Sequence, residues 1–384
     1  MDVEIKGTVE SGFEKVKEAF AANWQGCEVG AACSVVHKGK KVVDLWGGWL
    51  DTDFKNPWQE NTLVNVYSTT KGMGSLAMAI LADEGKLDYT AKVVDYWPEF
   101  GANGKENVTV AQLLSHQAGL CGITQKLTIE DLYDWEKMVR LLAEQKPLWE
   151  PGKGCGYHAV TWGYFPGKLT RRITGKSLGT YFREKVAVPL KADFFIGLPD
   201  SEMSRTSYMI GANRARIPIR PVDPPPKMPD LYPIALLNPD IRPFKDASST
   251  AWRKAEIAAA NGQANARGIA RIYGMLANGG EIDGIRILRS KGIEAALIEE
   301  VNGSEPNLVT GRNMRFARGF SLNSDEGLYG KNPNAFGHAG AGGSLGFADS
   351  SANIGFGYVM NQMQVNQDDP IRSKLLADAV YDCL

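Results

Sequence analysis

Strand-like runs stand at both ends of this chain, and helical periodicity fills the middle. AACSVVH (31–37) and KVVDLWGGW (41–49), separated by KGK, read as a hairpin of β-rich segments around a turn. RFARGFSL (315–322), SLGFADS (344–350) and IGFGYVMNQ (354–362) repeat that character near the end, the last two joined by the turn-like SANI. Between them apolar residues recur at helical spacing: Met73, Leu76, Ala77, Ile80 and Leu81 before a Gly85 stop, then Leu132, Trp135, Val139 and Leu142, then residues 264–278. Thr109 and Gln112 form a capping box ahead of LLSH. A first helix is read from Phe13, Val16, Phe20 and Trp24, and a last one from an Asp369 cap and Pro370 through inward Ile371, Leu375, Leu376, Ala379 and Val380. Strands from both ends can bury their faces only by pairing with each other. The expected class is therefore α/β of the α+β kind: one antiparallel sheet flanked by helices, plus a mainly helical second lobe, with a cleft between them. The expected division is 1–70 with 260–384 for the sheet domain, and 71–259 for the helical one. Nine prolines between 218 and 243 predict an irregular wall without helix or strand.

With 384 residues there is ample chain for a large core. A formal net charge of -1 offers no surplus that would attract nucleic acid or an anionic membrane. No run is long and apolar enough to span a bilayer. The start, MDVEIKGTVESGF, has neither a basic opening nor an apolar stretch, which sets the expectation of a cytoplasmic protein. Five scattered cysteines (27, 33, 121, 155 and 383) read as free thiols. The four histidines show no metal-ligand spacing, so neither a metal nor another cofactor is expected.

The chemistry concentrates at YSTTKG (67–72), where a strand-like stretch meets a helical one. Ser68 and Lys71 are three apart and share one helix face. Serine needs an adjacent base to become a nucleophile, and lysine serves once burial lowers its pKa. The first turn of a helix also gathers free N–H groups that favour an oxyanion. Tyr157 stands in the glycine-rich GCGYHAVTWGY ahead of another helix, and His338-Ala339-Gly340 opens the glycine-rich segment before a C-terminal strand. Three decoys fail on context. Gly342-Gly343-Ser344-Leu345-Gly346 fits a nucleophile elbow, yet a strand-like run follows it and no histidine comes after 338. AGAGG misses the dinucleotide-loop register. TGKS (174–177) has Thr170 where a phosphate loop needs glycine, so Gly175 reads as a helix stop and Ser177 as a cap. His116 reads as structural; for Trp46, Trp49 and Trp252 core packing is the default reading, with a wall of the acyl pocket as the alternative.

Together YSTTKG, LLSHQAGL (113–120), Tyr157-His158-Ala159, NARGIARIYG (265–274) and GHAGAGG (337–343) resemble, in order and spacing, the serine β-lactamase and penicillin-binding-protein superfamily. The class C branch is the nearer one, and its family VIII carboxylesterase relatives are the most similar. The resemblance implies Ser68 as acylated nucleophile, Lys71 as its base and Tyr157 as second base. It places the oxyanion hole at the Ser68 and Ala341 N–H groups, and substrate-binding positions at His338, Gly340 and Ala159. Two departures stand out. β-Lactamases of this branch carry Lys-Thr-Gly where this chain has His338-Ala339-Gly340, and asparagine where it has Ala159. A neutral histidine and an alanine suit a lactam carboxylate poorly. The implied substrate is a small ester, with slow or no β-lactam hydrolysis. Acyl transfer, β-lactamase or D-aminopeptidase activity, and a non-catalytic scaffold are the alternatives.

Overall fold

A computed structural model describes residues 3–26, 28–212, 227–364 and 371–384. Cys27, the proline-rich residues up to 226 and the Asp369–Pro370 cap lie outside the described residues. The main sheet has nine strands: β1 Lys6–Val9, β2 Gly30–His37, β3 Lys40–Gly48, β4 Glu299–Asn302, β5 Arg315–Ala317, β6 Ser321–Leu322, β7 Phe336–Ala339, β8 Leu345–Asp349 and β9 Ile354–Met360. Their order is β1-β3-β2-β9-β8-β7-β6-β5-β4, and every pairing is antiparallel. The two chain ends meet at the centre, where Ser34 of β2 lies opposite Gly357 of β9.

The period of two along β9 sorts its neighbours. Gly355 and Gly357 face α1, Ala266–Ala277; a side chain on Gly355 would run into the Gly274 backbone. Tyr358 faces the other way, toward Glu28 and the Arg372 that opens α2, Arg372–Tyr381. On α2, Leu376, Ala379 and Val380 are buried as expected, whereas Leu375 is exposed.

The middle of the chain is mainly helical. Its centre is α3, Thr70–Asp83, whose residues 70–81 are all buried. The sequence predicts one apolar face; the structure packs the helix from every side. The small residues explain this, because a β-carbon on Gly72 would lie 2.0 Å from the Tyr273 hydroxyl and one on Gly74 2.7 Å from the Trp162 ring. The Thr109–Gln112 capping box forms around α4, Val110–Leu114. Gly175 ends α5, Tyr164–Thr174, in a left-handed conformation, and Ser177 caps the next helix. The described part of the proline-rich stretch departs from expectation: Tyr232–Leu236 forms a helical turn with Pro233 near its start, where a missing N–H costs nothing.

Candidate active site

The chain turns sharply before Ser68. Val64–Asn65 pairs with Gln263–Ala264 in a short three-stranded sheet, and Tyr67 then takes a left-handed φ of 43°. Ser68 thereby sits in the turn just ahead of α3, not within its first helical turn. The Lys71 N–H still reaches the Ser68 carbonyl at 2.9 Å, which keeps the two side chains on one face.

Lys71 is fully buried. Its Nζ lies 3.2 Å from Ser68 Oγ, 2.7 Å from the Ala159 carbonyl oxygen and 3.0 Å from that of Ala259. Burial holds its pKa well below the ordinary lysine value. A neutral amine has two N–H bonds and one lone pair. With two carbonyls accepting the N–H bonds, the lone pair is left facing Ser68 Oγ. Tyr157 completes the group: it lines the same cavity as Ser68, and Lys71 Nζ lies 4.7 Å from its ring centre. Burial raises the Tyr157 pKa, so the phenol rests protonated. The structure thus brings together all three side chains that the sequence singles out.

The third segment packs against this group. Ser68, Tyr157, Ala159, His338, Ala339 and Ala341 all line one cavity of about 390 Å³. Among the described residues no hydrogen bond uses the Ser68 or Ala341 N–H. His338 Nδ1 lies 2.7 Å from the Ala339 carbonyl oxygen, which requires the proton on Nδ1; burial, with Lys71 nearby, lowers its pKa to about 3. Gly340 lies between two residues of the cavity wall, Ala339 and Ala341. A β-carbon there would lie 2.2 Å from the Val66 carbonyl, so glycine lets β7 close onto the segment that carries Ser68. Ala159 lines the cavity and also gives its carbonyl to Lys71, a contact that needs no particular side chain.

Ser344 is buried between β7 and β8, donates to the Val66 carbonyl at 2.8 Å and lies 3.0 Å from Thr69 Oγ1. A strand-turn-strand setting cannot present it as an elbow. None of the three tryptophans lines this cavity: Trp252 is core, bonded to Asn65, Arg267 lies over the Trp46 ring, and Trp49 meets Phe54 edge to face; the cavity is walled by Tyr232, Leu236, Met314, Leu328 and Tyr329. A larger cleft of about 620 Å³ beside Cys155 and Glu300 does not include Ser68. Cys33, Cys121, Cys155 and Cys383 are free thiols.

An antiparallel sheet with a half-buried serine beside a buried lysine at the foot of a central helix defines a β-lactamase/transpeptidase-like protein. The profile of the Beta-lactamase family matches residues 16–381, and the chain belongs to that family. It is 48% identical to a family VIII carboxylesterase of known crystal structure, with a TM-score of 0.92 over 99% of this chain and 100% of that one. A penicillin-binding protein homologue from Caulobacter crescentus is 37% identical, with a TM-score of 0.89 over 99% and 100% of the two chains. The esterase/beta-lactamase LipL of Mycobacterium tuberculosis is 35% identical, covering 94% of this chain and 83% of LipL. No helix among the described residues is long and apolar enough to cross a membrane.

Proposed function

We propose that this protein is a serine carboxylesterase that cleaves small, short-chain esters through an acyl-enzyme on Ser68. The observation that carries this reading is the Lys71 amine, buried without an acidic partner among the described residues and 3.2 Å from Ser68 Oγ. As Ser68 Oγ attacks the ester carbonyl, its proton passes to Nζ. The developing oxyanion is met by the N–H groups of Ser68 and Ala341. Tyr157 delivers a proton to the departing alkoxide and regains one from Lys71. Water then enters, loses a proton to the same pair, and releases the acid as Ser68 Oγ is reprotonated. The likeness to a family VIII carboxylesterase at 48% identity supports the ester as substrate.

His338 and Ala159 bear on the choice between ester and lactam. Neither offers a cation or a side-chain amide to a substrate carboxylate, and a hydrogen bond to a charged group is worth about 1.5–3 kcal/mol. Nitrocefin turnover is expected to trail that of p-nitrophenyl butyrate by about two orders of magnitude. The deciding experiment is hydrolysis of p-nitrophenyl butyrate by wild type, Ser68→Ala and Ser344→Ala. Loss in Ser68→Ala alone supports the reading. Loss in Ser344→Ala alone, or an inert wild type, overturns it.

A further inference from the structure

Three successive backbone N–H groups carry Tyr157, and none is left to solvent. Gly156 donates to the His116 carbonyl at 3.0 Å, Tyr157 to Asn307 Oδ1 at 3.0 Å, and His158 to His116 Nδ1 at 3.0 Å. Loops usually leave such donors to water. Here two buried residues, one before Tyr157 in sequence and one far after it, take all three.

Asn307 does more than hold one N–H. Its Oδ1 also accepts from Val309 at 3.1 Å and Thr310 at 3.2 Å, and its Nδ2 donates to Cys155 Sγ at 3.4 Å. Leu308 N–H adds a bond to the Cys155 carbonyl at 2.8 Å. One amide thus ties the Tyr157 segment to the loop whose Thr310 and Met314 wall the cavity.

His116 holds the other side. Its φ of 67° is left-handed, a conformation uncommon for residues other than glycine. Its ring centre lies 5.0 Å from that of Tyr157 and 4.5 Å from that of Phe316, which stacks within 10° of parallel to Tyr157. The bond that Nδ1 accepts from His158 puts the ring proton on Nε2.

We infer that His116 and Asn307 are positioning residues of the reaction: a two-sided backbone clamp that fixes the Tyr157 phenol against Ser68 and carries the cavity wall with it. The inference rests on reading Tyr157 as the second base.

The test measures kcat and KM for p-nitrophenyl butyrate, per folded molecule by near-ultraviolet circular dichroism. The variants are Tyr157→Phe, His116→Ala, His116→Asn, Asn307→Ala and Asn307→Asp. A small displacement of a catalytic group costs up to about 100-fold, so both alanine variants are expected to lose about 10- to 100-fold in kcat with KM changed less than about threefold. His116→Asn supplies an acceptor oxygen and tolerates a left-handed backbone; Asn307→Asp keeps an acceptor for all three N–H groups. Both are expected to recover most of the loss. Where an alanine variant fails to fold, Asn307→Thr, polar but too short to reach, is expected to show the same kcat loss. Unchanged kcat per folded molecule in the alanine and threonine variants, with only melting temperature reduced, overturns the clamp. Full turnover in Tyr157→Phe overturns the reading of Tyr157 itself, and is distinguishable because it leaves the other variants' effects unexplained by that phenol.

Discussion

Two of the basic side chains buried among the described residues, Arg372 and Lys71, are handled in opposite ways. Arg372 lies against the carboxylate of Glu28, which also bonds the Tyr358 hydroxyl, so its charge is matched. Burial raises the Glu28 pKa while Arg372 counters it. Lys71 is equally buried but meets only carbonyl oxygens and Ser68 Oγ; no acidic side chain pairs with it among the described residues. One cation fastens the start of α2 to the sheet. The other has no counter-charge among the described residues, and burial holds its pKa well below the ordinary lysine value, as the proposed role of base requires. The two differ in whether a carboxylate stands beside the buried basic group.

The largest effect should come from removing the unpaired group. Lys71→Met and Ser68→Ala are each expected to lower ester turnover by at least about 10³-fold, as losing a member of a concerted group does. Neither should lower the melting temperature, because an apolar side chain of similar length fits a site that disfavours charge. A Lys71→Met variant that melts well below wild type would break the comparison. Glu28→Ala should behave in reverse. Removing one partner of a buried pair costs about 3–5 kcal/mol, seen as a lower urea midpoint, while kcat per folded molecule stays near wild type.

Histidine titration sharpens the contrast more gently. His116, His158 and His338 surround Tyr157 or Lys71 and are buried without acidic partners among the described residues; burial lowers the last two from 6.5 to about 3, and His116 well below its ordinary value. Each binds a proton less readily folded than unfolded. Their stabilisation is complete above pH 6.5 and lost as pH falls toward the folded pKa, at about 1.4 kcal/mol per pH unit for each histidine. Melting temperature should therefore fall steadily below pH 6.5 in wild type, and less steeply in His338→Phe. The smallest effect is expected at an exposed pair, Lys176 with Glu184, where Lys176→Ala should leave the melting temperature unchanged within error.

The sheet of paired ends was legible because alternation and turn chemistry agree in residues 31–49 and 344–362. The edge strands were not. Lys6–Val9 is largely exposed, and Glu299–Asn302 opens with two glutamates held in ion pairs to Arg315 and Arg318, so neither carries an apolar alternation. Phe336–Ala339 hid in a glycine-rich run whose turn lies just beyond it. At the site, Ser68, Lys71 and Tyr157 could be read from motif and context. The Ala159 and Ala259 carbonyls could not, because any residue has a carbonyl and only the fold aims it. Asn307 was invisible for a related reason: nothing in VNGSEPNLV marks one asparagine as the acceptor for a chain segment 150 residues away.

The meeting of Ser34 with Gly357 also dictates the order of events during synthesis. β2 and β3 leave the ribosome before the whole helical middle is made, yet the partner on the inner side of β2 comes only after it. At about 5–20 residues per second that wait is on the order of tens of seconds, with one edge of a hydrophobic hairpin open to other chains. Contacts this distant in sequence also slow folding once the chain is released. A message truncated shortly before residue 354 would encode Ser68, Lys71, Tyr157 and His338 in full, and still lack the strand that joins the two halves of the sheet.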